Sequence, residues 1–172
     1  MRPHVLAFLL VLLLGPSAVR AEAVPEHVLK ATYIYNFAAL TQWPPMDRGG
    51  FNICVFGDSE LARVMQRLAG KTLHGRVVSV ARLGSLAAIR ECQVLYVAAD
   101  EAVSLPRISS LLGDAPVLTV SDAPATQDAA VRIVPEGSRL AFEVDVERCR
   151  RAGLRPGAAL LSLARNLRRP EH

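Results

Sequence analysis

The sequence predicts a single α/β domain, a three-layer sandwich with a mostly parallel sheet and an antiparallel hairpin at its edge. Four strand-like segments alternate with short helical segments, which is typical of a parallel sheet covered by helices on both faces. The third of these strands, Gln93–Ala98, is almost continuously apolar, as expected of a strand buried on both faces. The composition of 51% hydrophobic and 21% charged residues indicates a folded chain rather than a disordered one.

The segment before this domain resembles a secretory signal peptide. Arg2 precedes an apolar run from Val5 to Leu14, and a helix-breaking Gly15-Pro16 follows it. Small residues favour cleavage after Ala21, with Ala23 as the second choice. A transmembrane anchor is the alternative, but a spanning helix needs roughly 20 apolar residues. We therefore expect export to the periplasm and no insertion into the membrane.

Cleavage would leave residues 22–172, roughly 150 residues, which is the size of one ordinary domain. Removal of Arg2 and Arg20 lowers the formal net charge from +4 to +2. A charge this small does not favour a nucleic-acid partner.

The first predicted element is a helix from Pro25 to Leu40. Proline suits a first helical turn, and Trp43-Pro44-Pro45 ends the helix because proline cannot continue it. The helical spacing is carried by four residues: Val28, Thr32, Tyr35 and Ala39. A core-facing helix is the simpler interpretation of the aromatic segment Tyr35, Phe37 and Trp43, and a partner surface is the alternative.

The middle of the chain repeats a strand–helix unit. Gly57-Asp58-Ser59 reads as a turn and helix cap, although backbone N–H groups there could also meet an anion. The predicted elements are the strand Phe51–Phe56, the helix Glu60–Leu68, the strand Val77–Val80, the short helix Ser85–Ile89, the strand Gln93–Ala98, the helix Leu105–Leu112 and the strand Val117–Val120.

The rhythm then changes to a hairpin and two helices. Val131–Val134 and Leu140–Val144 flank a loop containing Pro135 and Gly137, the pattern of two antiparallel strands. The helices expected after the hairpin are Val146–Ala152, with Gly153 as its cap, and Ala158–Leu167.

Neither an enzyme nor a metal site is indicated. The sequence has no Gly-x-Ser-x-Gly elbow, and its histidines and cysteines lack zinc-site spacing. We expect no catalytic residues, no metal and no cofactor.

Of the three cysteines, two lie on strands that should be neighbours. Cys54 is inside the first strand of the sheet and Cys92 begins the third, and these strands are adjacent in a doubly wound order. In an oxidising compartment this predicts a disulfide, with two buried free thiols as the alternative. Cys149 lies between Arg148 and Arg150, where basic neighbours would lower a thiol pKa if the side chain were exposed.

The C-terminal part of the chain is rich in arginine. A solvated face of two helices is the simpler interpretation, and a surface for an acidic partner or anionic lipid is the alternative. The arginines are Arg148, Arg150, Arg151, Arg155, Arg165, Arg168 and Arg169.

Several motifs together resemble the YfiR-like family of periplasmic proteins. The opening Ala31–Phe37 segment with Trp43-Pro44 matches first, and the later motifs follow in the same order and spacing. These are Ile53–Gly57, Gly75–Val78, Cys92–Val97, Val117–Asp122 and Leu160–Ala164.

The resemblance implies a non-enzymatic repressor. YfiR-like proteins bind the periplasmic region of an inner-membrane diguanylate cyclase, hold it inactive and so lower cyclic di-GMP and biofilm formation. The resemblance also implies that Cys54 and Cys92 form a disulfide, and it is compatible with a homodimer. Our candidates for a partner or ligand surface are Tyr35, Asn36, Trp43, Asp58 and Ser59.

The sequence departs from the family pattern in two places. The family pattern has a second disulfide late in the chain, where this sequence has only Cys149. In the final helix, Gly157-Ala158-Ala159 stands where the family often has a Ser-Arg pair. The alternative function is a periplasmic ligand-sensing domain without a cyclase partner, because crevices beyond parallel strand ends commonly hold small molecules.

Overall fold

Five short α-helices and ten strands build the fold of the computed structural model, which describes residues 24–45, 49–57 and 60–168. The predicted signal peptide, Asp58, Ser59 and Arg169 lie outside these residues. The helices are α1 (Glu26–Leu40), α2 (Glu60–Met65), α3 (Leu105–Leu112), α4 (Val146–Arg151) and α5 (Ala158–Leu163). The strands are β1 (Thr41–Gln42), β2 (Phe51–Phe56), β3 (Thr72–Leu73), β4 (Arg76–Leu83), β5 (Val94–Val97), β6 (Leu118–Ser121), β7 (Val131–Glu136), β8 (Arg139–Asp145), β9 (Arg155–Pro156) and β10 (Asn166–Arg168).

Eight of the strands form one sheet in the order β10-β8-β7-β6-β5-β2-β4-β3. Its centre, from β4 to β7, is parallel, β3 pairs antiparallel with β4, and β7 and β8 form the predicted antiparallel hairpin. The short β1 and β9 form a separate antiparallel pair. The predicted mixed α/β fold with a mostly parallel sheet is therefore confirmed.

Each face of the sheet carries its own apolar cluster. Alternate residues of β2 divide between them, with Ile53 and Val55 on one face and Cys54 and Phe56 on the other. The first cluster packs against α1, α2, α4 and α5, whereas the second packs against α3. This is the predicted arrangement of three layers.

The longest helix, α1, is fixed to its face of the sheet by aromatic contacts. The rings of Phe37 and Phe142 lie with centroids 4.8 Å apart, and the Tyr33 hydroxyl donates a hydrogen bond of 2.8 Å to the carbonyl oxygen of Leu140. Because both partners lie on β8, the helix reaches across the sheet as far as the hairpin.

Three predicted elements in the middle of the chain differ from the structure by more than one residue. No α-helix forms over Ser85–Ile89, where the chain bends and then makes a single 3₁₀ turn at Ile89–Glu91. The predicted helix Glu60–Leu68 is α-helical only to Met65, because its last turn tightens to 3₁₀ geometry. The strand predicted at Val77–Val80 is longer, since β4 pairs with β2 from Val78 to Leu83 and with β3 at Arg76 and Val77.

The end of the last predicted helix, Ala158–Leu167, is also wrong. The α5 helix ends at Leu163, and β10 follows it in parallel pairing with β8. Glu143 on β8 helps to hold this junction, because its carboxylate accepts hydrogen bonds from Arg132 at 2.5 Å and Arg165 at 3.0 Å. The hairpin therefore has one more short strand beside it.

Candidate functional site

The disulfide predicted between Cys54 and Cys92 is present. Cys54 lies in β2, and Cys92 comes two residues before β5, which pairs with β2 in parallel. The two Cα atoms are 5.9 Å apart, within the range that a disulfide requires. The bridge thus joins two central neighbouring strands of the sheet.

This bridge is enclosed on the face that α3 covers. Cys54 is 3% exposed and Cys92 is 1% exposed, and both belong to the same apolar cluster as Leu95 and Ile108. Thiol–disulfide exchange needs access of a thiolate to one of the sulfur atoms. A reductant therefore reaches this bridge only after the α3 layer opens.

Cys149 does not belong to a disulfide and lies on the other face of the sheet. It is fully buried on α4, in the cluster that also contains Phe37 and Val144. The basic neighbours that the sequence places beside it do not make it an accessible thiolate, because its sulfur is shielded from solvent.

The outer face of α1 holds two of the candidate surface residues, Tyr35 and Asn36. Asn36 is exposed, and Tyr35 is half-buried against the core. The fully covered residues of α1 are instead Ala31, Ile34, Phe37 and Ala38. The spacing that predicted the helix therefore lies along its half-open side and not along its most buried side.

A shallow groove of about 210 Å³ runs beside Tyr35 between α1 and α2. Its floor is mostly apolar, with Val28 on α1 and Val64 on α2. Arg67 and Lys71 line it as well, and both side chains are exposed. The groove therefore combines apolar surface with positive charge.

Trp43 has a different position from Tyr35. Its ring meets Phe51 edge-on at 5.1 Å and lies 5.5 Å from the His74 ring, and its Nε1 is buried without a hydrogen-bond partner among the described residues. One side of Trp43 borders a cavity of about 290 Å³ shared with Arg155. Tyr35 and Trp43 thus line separate cavities.

The remaining candidates, Asp58 and Ser59, lie outside the described residues, but Gly57 before them is placed. It has a φ of 95°, and a Cβ atom added there would stand 2.7 Å from Cγ of Glu101. Glycine is therefore required, and Glu101 closely approaches the carboxyl end of β2.

An ionic cluster that the sequence did not predict lies at the same edge of the sheet. Nζ of Lys30 lies 2.5 Å from Oδ2 of Asp122 and 2.6 Å from Oε1 of Glu26. Burial lowers the pKa of Lys30, but hydrogen bonds to Asp122 and Glu26 raise it, and the net shift is upward. Burial and the Asp122 charge raise the pKa of Tyr96 far above its ordinary value. The polar pair Ser121-Asp122 directly after a buried strand was the signal available in the sequence.

Three of the seven C-terminal arginines, Arg148, Arg150 and Arg165, form hydrogen bonds with other described residues, whereas Arg151 and Arg155 are exposed. Arg148 donates hydrogen bonds to Oγ of Ser109 at 2.8 Å and to the carbonyl oxygen of Gln127 at 2.9 Å, and Arg165 binds Glu143. These contacts favour the simpler interpretation of this basic group.

Residues 24–45, 49–57 and 60–168 contain neither a membrane-spanning helix nor a cluster of metal-ligating side chains. No helix in this part of the chain is long and apolar enough to cross a bilayer. Nor does the same part bring together three histidine, cysteine or acidic side chains as a metal ion requires.

A sequence model of the family described as YfiR/HmsC-like matches residues 27–165, a range that contains nearly all of α1, the disulfide and the central strands. No curated protein sequence matches the chain significantly.

Proposed function

The chain belongs to the YfiR/HmsC-like family, and on that premise we propose that it binds the periplasmic region of a membrane-bound diguanylate cyclase and represses it. The family match over residues 27–165 is the observation that carries this proposal. The family is one of periplasmic regulators of diguanylate cyclases and is regulatory rather than catalytic.

Two features of the chain support the periplasmic location. Residues 1–21 have the charge and apolar pattern of a signal peptide, which leaves residues 22–172 as the exported domain. The Cys54–Cys92 disulfide suits an oxidising compartment.

Repression by binding requires a difference in affinity between two states of the cyclase. A protein that bound the active and inactive states equally would shift neither. Changing a population from mostly active to mostly inactive needs about 5.5 kcal/mol of differential binding. The partner surface must therefore contact a part of the cyclase that differs between its two states.

Gene deletion and complementation in the native host test this proposal. Deletion should raise cellular cyclic di-GMP, and an exported copy should lower it again. A copy without residues 1–21 should fail to complement, because it stays in the cytoplasm. Unchanged cyclic di-GMP and surface attachment after deletion would contradict the proposal and favour the ligand-sensing alternative.

A further inference from the structure

We propose that the groove between α1 and α2 is the docking surface for the cyclase, and that it receives an acidic amphipathic helix from the periplasmic region of that partner. This inference rests on the proposed function and deepens it by naming the surface and the chemistry of its occupant.

The apolar residues of α1 lie on more than one side of the helix. A helix packed on one side normally shows one apolar stripe and an opposite polar face. Here Ile34 and Phe37 are fully buried, yet Val28 and Tyr35 on another side are half-buried and line the groove. The α2 helix already packs against α1 but leaves Val28 and Tyr35 only half-buried, so apolar surface on this side of α1 stays open to a further element.

The groove has the size and shape to accept a helix. Val28 and Tyr35, which line it, are seven positions apart on α1, or about 10 Å at 1.5 Å per residue, which is close to two helical turns. Val64 and Leu68 form the opposite wall. A furrow between two helices accepts the apolar stripe of a third helix through residues spaced i, i+3 or i+4, and i+7.

The charged side chains that line the groove are positive. Arg67 and Lys71 line the groove, and neither forms an ion pair with another residue of the described ranges. None of the described residues that line the groove has an acidic side chain. A partner helix with aspartate or glutamate beside its apolar stripe would complement Arg67 and Lys71. Such charge complementarity orients the partner and speeds its association with the groove.

The same charges argue against two other occupants. In a two-fold homodimer formed through the groove, Arg67 and Lys71 would meet a second copy of the same lining, which brings two more cations and no acidic side chain. A membrane surface offers about 1 kcal/mol for each basic residue, and two residues give too little for stable attachment. The complementary occupant is therefore a partner helix of opposite charge.

Reversing the charges of Arg67 and Lys71 tests whether the groove binds the cyclase. Full-length protein carrying Arg67→Glu and Lys71→Glu is compared with wild type in capturing a diguanylate cyclase from detergent-solubilised inner membranes. Because the bound cyclase would be inactive, it is first released from the captured complex at high salt, and its activity is then assayed by conversion of GTP to cyclic di-GMP. We expect capture to fall by roughly tenfold or more, because two attractions become repulsions. We expect wild-type capture to weaken as salt is raised.

The matched control is Arg107→Glu with Arg139→Glu, which reverses two exposed arginines away from the groove. It should capture cyclase activity as wild type does. Melting temperatures of both double variants should stay close to wild type, since all four side chains are exposed. Thr32→Trp, which adds bulk but no charge at the groove, provides a second test should the charge reversal disturb folding, and it should also reduce capture of the cyclase.

A photo-crosslinking residue in place of Tyr35 identifies the occupant. We expect a crosslink to a cyclase peptide that contains Asp or Glu beside apolar residues. A crosslink to a second copy of this chain, or to lipid, would overturn the groove proposal in favour of that occupant.

The two proposals fail in different ways. If wild type and the Arg67→Glu, Lys71→Glu variant capture cyclase activity equally, the groove is not the docking surface, whereas repression by binding stands. If wild type captures no cyclase activity and deletion leaves cyclic di-GMP unchanged, the proposed function fails and the groove proposal fails with it.

Discussion

The Nζ atom of Lys30 lies 2.5 Å from Oδ2 of Asp122, so one ion pair joins α1 to the residue that follows β6. Both side chains are largely removed from solvent, with 16% of Lys30 and 14% of Asp122 exposed. The position of α1, and with it the α1–α2 groove, therefore depends in part on a contact at the carboxyl edge of the sheet.

Replacing Lys30 by methionine should lower the free energy of unfolding by about 3 kcal/mol, because the Asp122 carboxylate would lose its cation while remaining buried. The matched control is Arg63→Met, which breaks the exposed Arg63–Glu60 pair and should cost less than about 1 kcal/mol. Guanidinium unfolding followed by circular dichroism measures both values. Equal losses in the two variants would mean that the Lys30–Asp122 pair contributes no more than a surface pair.

The buried carboxylate of Glu143 should make stability fall in acid. Burial raises its pKa, but hydrogen bonds and charge from Arg132 and Arg165 lower it, and the net shift is downward. A lowered pKa in the folded state stabilises the fold above the unfolded value of about 4.3, and this contribution is lost as pH falls through the folded pKa. Unfolding midpoints from pH 7 to pH 3 should therefore fall less steeply in Glu143→Gln than in wild type.

The control for that pH profile is Glu60→Gln, which removes an exposed acid. Its profile should follow wild type. A Glu143→Gln profile as steep as that of wild type would show that other groups cause the acid sensitivity.

Removing the disulfide with Cys54→Ala and Cys92→Ala should lower the free energy of unfolding by about 4 kcal/mol, since the bridge spans 38 residues of sequence. Cys149→Ala is the control for the loss of a buried sulfur atom and should cost about 1 kcal/mol. Urea denaturation of the three proteins measures the difference. If the double variant lost no more than twice the control, the effect would come from packing and not from the crosslink.

Trp43→Ala should lower the free energy of unfolding by about 3 kcal/mol, because the indole packs against Phe51 and His74. Trp43→Phe keeps an aromatic ring against Phe51 and should lose less. Calorimetry is the suitable measurement, since Trp43 is the only tryptophan and its replacement removes the fluorescent probe. Unchanged stability with loss of repression would instead make Trp43 part of the partner surface.

Most of the sheet could be predicted from local pattern. Phe51–Phe56 and Leu105–Leu112 have the predicted bounds, because strong apolar periodicity and clear turn residues delimit them. The strand Asn166–Arg168 could not be predicted, since its apolar spacing continues that of α5 and only the long-range pairing with β8 makes it a strand. Thr72–Leu73 is too short to give any periodic signal.

The buried side of α1 was predicted less well, for a physical reason. Helical spacing locates a helix, but it cannot choose between two apolar sides when both carry large residues. On α1 the sequence therefore pointed to the side of Val28 and Tyr35, whereas the sheet buries the side of Ile34 and Phe37. The disulfide was predictable because neighbouring parallel strands fix the distance between two positions within narrow limits.

The enclosure of the Cys54–Cys92 bridge sets an order of events during maturation. An oxidising enzyme can reach these sulfur atoms only before α3 settles on the sheet, so the bond must precede that step. On the proposed export route the chain crosses the membrane from its N-terminus, and Cys54 and Cys92 arrive before Cys149. On that route we expect Cys54 and Cys92 to be able to pair before Cys149 reaches the same compartment.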